Sequence, residues 1–183
     1  MLDVIIPVYS PAPFEGLTRC IQSVLSNTPD CNLIIVNSDK SQPININRGL
    51  DRAQGEYAAI LDWDVYVPPG WADKLIDDLK NNDKIGIIGA RMIGKYNGLN
   101  RQATALQEWP TLAGGCMVFR NIGLRWDENF PNGYWADTDF CRQYKEKGYQ
   151  VWIDGGVEVE HDIHTCGSGD ENYYKQKWGD LNF

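Results

Sequence analysis

The sequence has little of what marks a nucleic-acid-binding, membrane-spanning or disulfide-bonded protein. Its 17 basic residues are outnumbered by 25 acidic ones, giving a net charge of −8, so it lacks the cationic face that duplex or membrane-surface binding requires. It has no apolar run near the ~18 residues of a membrane span and no secretion-signal pattern at its start. The five cysteines form no CxxC pair. We therefore expect reduced thiols and a cytoplasmic location.

The sequence does have the length and the hydrophobic pattern of one α/β domain. Its 183 residues are 43% hydrophobic and 23% charged, which is ordinary usage for a folded domain. Four short apolar runs alternate with helical apolar stripes, and the runs cover residues 4–8, 33–36, 57–61 and 85–90. This alternation predicts right-handed crossovers and a mostly parallel sheet covered on both faces.

The second half of the sequence is less regular. Residues 91–111 show no clear period, and residues 112–120 resemble a strand interrupted by Gly114-Gly115. A helix is expected to open at Asp137 and to close at Gly148, followed by two short strands at 151–153 and 157–159. The last residues, from 163 on, are polar and aromatic with a weak pattern.

Two carboxylates lie directly after the third predicted strand, in Asp62-Trp63-Asp64. Ligands of such sheets bind at the carboxyl ends of the strands, and two carboxylates two residues apart there can both reach one hard cation. An acidic chain would repel a diphosphate unless a cation bridged the two. The alternative is that one aspartate caps the turn before Pro68 and the other is merely solvated.

Several short motifs occur in an order that resembles a known family. They are Ile5-Ile6-Pro7-Val8-Tyr9-Ser10, Asn47-Arg48-Gly49-Leu50, Ala53-Gln54-Gly55-Glu56-Tyr57, Leu61-Asp62-Trp63-Asp64 and Pro68-Pro69-Gly70-Trp71. Over about residues 2–162 the sequence resembles the GT-A-fold glycosyltransferases, in particular the inverting family 2. The resemblance implies an α/β, GT-A (Rossmann-like) three-layer sandwich with a mostly parallel central sheet.

The resemblance also implies the domain organisation. Residues 1–183 would form a single GT-A catalytic domain, with a nucleotide-binding half at about 1–90, an acceptor half at about 91–162 and a C-terminal tail at 163–183. The domain is small for an enzyme that must also bind an acceptor, which points to a further domain or a partner that supplies acceptor binding.

The resemblance implies a metal site at Asp62, Asp64 and His161. His161 closes a predicted strand at the place of the family's C-terminal metal histidine, and an imidazole among oxygens suits Mn²⁺ better than Mg²⁺, which is the alternative. His161 could instead be a surface histidine bonded to Asp162 or Glu160. A zinc site at His161, His164 and Cys166 is disfavoured because the usual ligand spacing is missing.

The resemblance assigns the nucleotide contacts to the turns at the same sheet edge. The loop after the first strand would pack on the base, and Asn37 replaces the family's base-pairing aspartate. Since an amide both donates and accepts, Asn37 leaves the identity of the base open. Uracil is favoured, and guanine and thymine are the alternatives. Arg48 would reach the ribose or diphosphate; alternatively, it is a charge on the helix surface. Gly115 would let the backbone approach a ligand closely; alternatively, it marks a bulge in a strand. The donor-binding set is Pro7, Val8, Tyr9, Asn37, Asp39, Asn47, Arg48, Asp62, Trp63 and Gly115.

A second acidic cluster, Trp135-Ala136-Asp137-Thr138-Asp139, resembles the family's Glu-Asp motif. Carried over, Asp137 is the base that deprotonates the acceptor hydroxyl, with Asp139 in reserve, and Ala136 replaces the usual acid. The plain alternative is two first-turn acids favoured by the helix dipole. Aromatic residues expected near the acceptor are Trp109, Trp126, Tyr134 and Trp135.

The function implied is metal-dependent transfer of a sugar from a nucleoside-diphosphate sugar, with UDP favoured, to a carbohydrate or other hydroxyl acceptor with inversion. A retaining GT-A enzyme is the alternative within this class. A non-catalytic nucleotide-sugar or carbohydrate-binding module is the alternative from another class, because of Ala136. A sugar-phosphate nucleotidyltransferase would need a Gly-rich loop with an arginine after the first strand, and the sequence has none there.

Overall fold

A computed structural model describes residues 1–9, 14–95, 98–131, 133–162 and 169–179. Its strands are β1 Leu2–Tyr9, β2 Cys31–Ser38, β3 Tyr57–Leu61, β4 Val65–Tyr66, β5 Ile85–Gly94, β6 Leu106–Glu108, β7 Cys116–Arg120 and β8 Gln150–His161. Its helices are α1 Phe14–Asn27, α2 Gln42–Leu50, α3 Trp71–Asn81, α4 Ala136–Glu146 and α5 Glu171–Trp178, with a 3₁₀ turn at Leu99–Gln102. Ser10, His164 and Cys166, which the sequence analysis named, lie outside the described residues.

The strands form one sheet in the order β2-β1-β3-β7-β5-β8-β4, with β6 also paired to β8. The long strands β1, β2, β3, β5 and β8 run in one direction, since β1 is parallel to β2 and β3, and β5 is parallel to β8. Strand β7 lies antiparallel between β3 and β5, and the short β4 and β6 are antiparallel to β8. The predicted α/β fold with a mostly parallel sheet is confirmed.

Helices cover both faces of the sheet because side chains alternate along each strand. Val4 and Ile6 of β1 belong to a core shared with α1 and α3. Ile5, between them, belongs to the opposite core, which includes side chains of α2, α4 and α5. The three-layer arrangement expected for the GT-A fold is therefore present.

Strand β8 differs from the two short strands predicted at its place. It is continuous over 12 residues, but its register against β5 shifts where Ala90 pairs with Asp154 and Arg91 with Glu158. The Asp154 carboxylate accepts the Gly156 N–H at 2.8 Å inside this bulge. The bulge interrupts the apolar alternation, which is why the sequence suggested two strands.

Two more boundaries differ from expectation. Strand β7 begins at Cys116, so Gly114-Gly115 precede the strand instead of interrupting it. Helix α2 covers 42–50, three residues before the expected 45–53. Of the helices in the described part of the chain, none combines the length and the apolar character needed to cross a membrane.

Helix α5, in the tail where the sequence pattern was weak, is attached to the domain by charged and aromatic side chains. Lys177 Nζ lies 2.7 Å from Asp127 Oδ2 and 2.7 Å from Asp139 Oδ1. Tyr174 is fully buried. Lys177, an exposed residue that still contacts the domain, hides the apolar periodicity that would otherwise reveal such a helix.

The attachment of α5 is expected to weaken in acid. Burial alone would raise the pKa of Asp127, but hydrogen bonds from Lys177, the Asn129 N–H and the Tyr173 hydroxyl outweigh it and lower the pKa to about 2. A carboxyl group with a lowered pKa in the folded state stabilises the fold above its unfolded pKa of ~4, and this contribution disappears as pH falls through ~2. We expect Asp127→Asn to lower the free energy of unfolding by ~2 kcal/mol at pH 7 and by much less near pH 2.

Urea denaturation of both proteins across this pH range measures the difference. The matched control is Asp51→Asn, because Asp51 is 67% exposed and paired with Arg125 at 3.3 Å, and such surface pairs contribute little. A difference for Asp127→Asn that does not shrink in acid contradicts the prediction.

Candidate active site

Asp62, Asp64 and His161 converge at the end of the sheet. One ligand atom from each lies within 4.8 Å of the others. His161 Nε2 is 3.2 Å from Asp64 Oδ1 and 3.9 Å from Asp62 Oδ2. Two carboxylates and an imidazole are a donor set that accepts a divalent cation. The structure thus brings together the three residues that the sequence analysis selected as metal ligands.

Strand pairing explains why residues so distant in sequence meet. Strand β3 ends at Leu61, and the turn that follows is closed by a hydrogen bond from the Val65 N–H to the Asp62 carbonyl at 3.1 Å. Strand β4 then pairs antiparallel with the end of β8, with Val65 opposite His161. The Asp162 N–H donates to the Asp64 carbonyl at 3.2 Å. These bonds fix His161 beside the acidic turn.

Burial and neighbouring charges shift the pKa values of two residues of this cluster. Burial raises the pKa of Asp62 to about 6, with further contributions from the charges of Asp64 and Asp137. Burial opposes protonation of His161, but its hydrogen bond to Asp64 and the surrounding carboxylates outweigh burial and raise its pKa. A cation bound to these groups would compete with protons for them, so its binding would weaken as pH falls.

Gln42, at the start of α2, orients Asp62. Its Nε2 donates to Asp62 Oδ1 at 2.8 Å, while the other carboxylate oxygen, Oδ2, faces His161. The backbone N–H of Asp62 donates to the Gly115 carbonyl at 3.1 Å. Sequence reasoning missed Gln42, because a single glutamine at a helix start carries no distinctive signal.

Asp137 lies on the other side of Gly114-Gly115. Its Oδ2 accepts the Gly114 N–H at 3.0 Å, and its Oδ1 accepts the Thr138 N–H at 2.8 Å. Burial raises the pKa of Asp137, although these hydrogen bonds oppose the increase. The two glycines therefore connect the candidate base to the acidic cluster, since Gly114 bonds to Asp137 and Gly115 to Asp62.

The close approach of the Gly115 backbone to a ligand stays a prediction, but the contacts of Gly115 within the protein are clear. A Cβ atom at this position would lie 2.8 Å from Met92 Sδ and 3.6 Å from Asp62 Oδ2. The absent side chain thus makes room for Met92 and leaves Asp62 next to the backbone.

Asp139, the reserve candidate for the base, faces away from the site. Its side chain is fully buried and accepts hydrogen bonds from Gln143 and Trp178, both at 2.8 Å. Ala136 is likewise fully buried in the core. The structure thus leaves Asp137 as the carboxylate of this cluster next to the candidate metal ligands.

The ends of β1 and β2 form the edge expected to bind the nucleotide. Asn37 and Asp39 are exposed there, and Arg48 Nη1 donates to Ser38 Oγ at 3.1 Å. Asn45, which sequence reasoning missed, is fully buried and holds this edge together. Its Nδ2 donates to the Val8 carbonyl at 3.2 Å, and its Oδ1 accepts from Ser38 Oγ at 2.6 Å.

Pro7 and Val8, two of the residues expected to pack on the base, have buried side chains, and that of Val8 is only 2% exposed. They could contact a base only through the backbone. The side chain of Tyr9 lies outside the described part of the structure.

Three further predicted contacts are engaged elsewhere. The Asn47 amide donates to the Trp126 carbonyl at 2.9 Å and to Glu128 Oε1 at 2.8 Å, and accepts the Trp126 N–H at 2.9 Å. Asn47 therefore holds the loop before α4, and we place it outside the donor contacts. The ring of Trp63 lies against Gly16 of α1. The ring of Trp126 is 2% exposed and packs 5.4 Å from that of Phe140, so it is a core residue.

The fold is that of the GT-A glycosyltransferases, as three solved structures show. The chain is similar to S. aureus TarS, with 12% identity and a TM-score of 0.71, over 95% of this chain and 38% of that one. A second TarS structure, of residues 1–349, has 12% identity and a TM-score of 0.68, over 88% of this chain and 60% of that one. A crystal structure of GalNAc-T7 with UDP, GalNAc and Mn²⁺ has 13% identity and a TM-score of 0.77, over 98% of this chain and 48% of that one.

The family follows from the sequence comparison. The family model for glycosyl transferase family 2 matches residues 40–133, just over half of the chain. The chain therefore belongs to glycosyl transferase family 2, a family of glycosyltransferase enzymes. A comparison with curated protein sequences finds no significant match. The chain spans less than two thirds of the length of each of the three similar structures.

Proposed function

We propose that this family 2 domain is a metal-dependent glycosyltransferase that moves a sugar from a nucleoside-diphosphate sugar, with UDP favoured, to an acceptor hydroxyl with inversion. The observation that carries the proposal is the convergence of Asp62, Asp64 and His161 within 4.8 Å, joined through Gly114-Gly115 to the partly buried carboxylate of Asp137. A chain of net charge −8 needs a cation to hold an anionic donor.

Asp62, Asp64 and His161 would hold the cation. Carboxylate oxygens with one imidazole nitrogen suit Mn²⁺, whereas Mg²⁺ prefers shells made of oxygen alone and remains the alternative. The cation supplies charge compensation for the departing diphosphate. Gln42 supports this role, because it occupies Asp62 Oδ1 and leaves Oδ2 on the side of His161.

Asp137 would act as the general base. One acceptor hydroxyl proton moves to its carboxylate while the hydroxyl oxygen attacks the anomeric carbon and the bond to the diphosphate oxygen breaks. A single displacement inverts the anomeric centre. The hydrogen bonds from Gly114 and Thr138 fix the carboxylate in one orientation, and its raised pKa makes it a stronger base than an exposed aspartate.

We further propose that residues 1–183 act as one catalytic domain. The donor edge belongs to the half at about 1–90, whereas Asp137 and His161 come from the half at about 91–162. Because the proposed metal ligands include His161 as well as Asp62 and Asp64, neither half would bind a metal-bridged donor alone. Asn37, Asp39 and Arg48 remain candidates for contacts with the nucleotide.

A panel of nucleotide sugars with and without Mn²⁺ tests the proposal. We expect a UDP-sugar at ~100 times its Kd to raise the Tm by ~5–10 °C with Mn²⁺, and to have no such effect with a chelator. The same mixtures should release free nucleotide. The proposal fails if no nucleotide stabilises the protein in Mn²⁺. Stabilisation without any metal-dependent release of nucleotide would instead support a non-catalytic binding module.

A further inference from the structure

The first turn of α4 depends on α5 for the burial of a carboxylate. Asp139 has no exposed surface, and its oxygens accept hydrogen bonds from Gln143 of α4 and Trp178 of α5. Lys177 Nζ lies 2.7 Å from Oδ1. A buried carboxylate is stable only where cations and donors replace its hydration. Two of its three partners, including the cation, come from α5.

Lys177 connects α5 to both sides of the start of α4. Its Nζ also lies 2.7 Å from Oδ2 of Asp127, in the loop that precedes α4. Tyr173, on the same helix, donates its hydroxyl to that oxygen at 2.9 Å. One lysine therefore joins the loop before α4 to the first turn of α4.

A third contact supports a strained residue at the helix start. Trp135 immediately precedes α4 and has φ of 67°, a left-handed conformation that residues with a side chain adopt only where their surroundings hold it. The ring centroid of Trp135 lies 5.0 Å from that of Tyr174 in α5. Positions 135 and 139, on either side of Asp137, are thus both in contact with α5.

We infer that α5, chiefly through Lys177, is a positioning element for the catalytic base. Lys177 holds Asp139, and with it the first turn of α4, so that Asp137 keeps its hydrogen bond to Gly114. The inference rests on the proposed function, since it takes Asp137 as the base. It assigns a catalytic consequence to α5, whose contacts given above are with Asp127, Trp135 and Asp139.

The test compares kcat with donor binding in Lys177→Met. We expect kcat to fall ~10- to 100-fold, because small displacements of a catalytic group have effects of this size. The Kd values for Mn²⁺ and for UDP with Mn²⁺ should stay within about twofold, since the metal cluster lies on other elements. Lys177→Arg should restore most of kcat by keeping the cation. Trp178→Phe removes the indole N–H that donates to Asp139 and keeps an aromatic ring. It should lower kcat and leave the Kd values for Mn²⁺ and UDP unchanged.

Lys175→Met is the matched control. Lys175 lies on the same helix but pairs with Glu171, also of α5, at 2.6 Å, so its loss should leave kcat unchanged. The inference is overturned if Lys177→Met and Trp178→Phe keep wild-type kcat, or if their kcat and metal affinity fall together. Should Lys177→Met fail to fold, Trp178→Phe decides alone. A wild-type protein that turns over no donor would instead defeat the proposed function, and the inference with it.

Discussion

Replacing Asp64 by alanine is expected to abolish Mn²⁺-dependent donor binding. The Asp64 side chain is 5% exposed and its Oδ1 lies 3.2 Å from His161 Nε2, so it is held at the centre of the proposed ligand set. Removing a supporting group of a metal site typically weakens metal binding ~10- to 100-fold, and loss of a ligand itself should exceed that range. Titration of free Mn²⁺ by electron paramagnetic resonance measures the metal affinity, and calorimetry measures UDP affinity with and without Mn²⁺.

Asp51→Ala serves as the control for Asp64→Ala. It removes an equal charge from an exposed site, so any general effect of net charge on cation binding appears in both variants. If Asp64→Ala binds UDP in Mn²⁺ as tightly as the wild type does, Asp64 is not a metal ligand. Circular dichroism of the variant shows whether the fold persists.

We expect the Asp137→Asn variant to bind the sugar donor but to lose the ability to transfer the sugar. The substitution removes the group that accepts the acceptor proton, and general base catalysis contributes ~10²- to 10⁴-fold to a rate, so we expect kcat to fall ~10³-fold. The Kd for UDP with Mn²⁺ should change little, because Asp62, Asp64 and His161 are intact. Transfer kinetics and calorimetry on the same preparations separate the two effects.

An asparagine at position 137 also loses one backbone hydrogen bond. Both carboxylate oxygens of Asp137 accept an N–H, whereas an amide offers a single acceptor oxygen. The Tm must therefore be measured beside kcat. Glu146→Gln, at the exposed end of the same helix, is the control and should keep wild-type kcat. Near-normal turnover by Asp137→Asn would remove Asp137 from the mechanism.

Local patterns were enough to predict the main strands and most helices. The apolar runs at 4–8, 33–36, 57–61 and 85–90 lie within β1, β2, β3 and β5. A strand covered on both faces must be apolar throughout, as β1, β3 and β5 are, whereas β2 lies at the edge of the sheet and leaves Ile35 exposed. The bulge in β8 and the antiparallel insertion of β7 were not predictable in this way. They depend on pairing with distant strands, which leaves no period in the sequence.

The two aspartates of the candidate site could be predicted from the sequence for a chemical reason. Asp62 and Asp64 follow an entirely apolar strand, and carboxylates at such a strand end require an explanation. His161 is different, because no spacing rule connects it to Asp64. Family resemblance suggested His161, and the two-residue strand β4 is what brings it to the turn.

The roles of the amide side chains could not be predicted from the sequence. Asn47 was expected at the donor but holds the loop before α4, whereas Gln42 and Asn45, which drew no attention, orient Asp62 and the edge of the sheet. An amide has the same donors and acceptors in either role. Only the direction in which the side chain points distinguishes a ligand contact from a structural contact, and that direction depends on tertiary packing.

The pairing of β4 with β8 has a consequence for the order in which the protein becomes active during synthesis. A nascent chain that has emerged only as far as α4 already carries both aspartates and the carboxylate on α4, but it lacks the imidazole opposite Val65. Affinity for the cation would thus be acquired late, once the last long strand has joined the sheet. Under the proposed function, incomplete polypeptides would neither bind the cation nor consume the sugar donor.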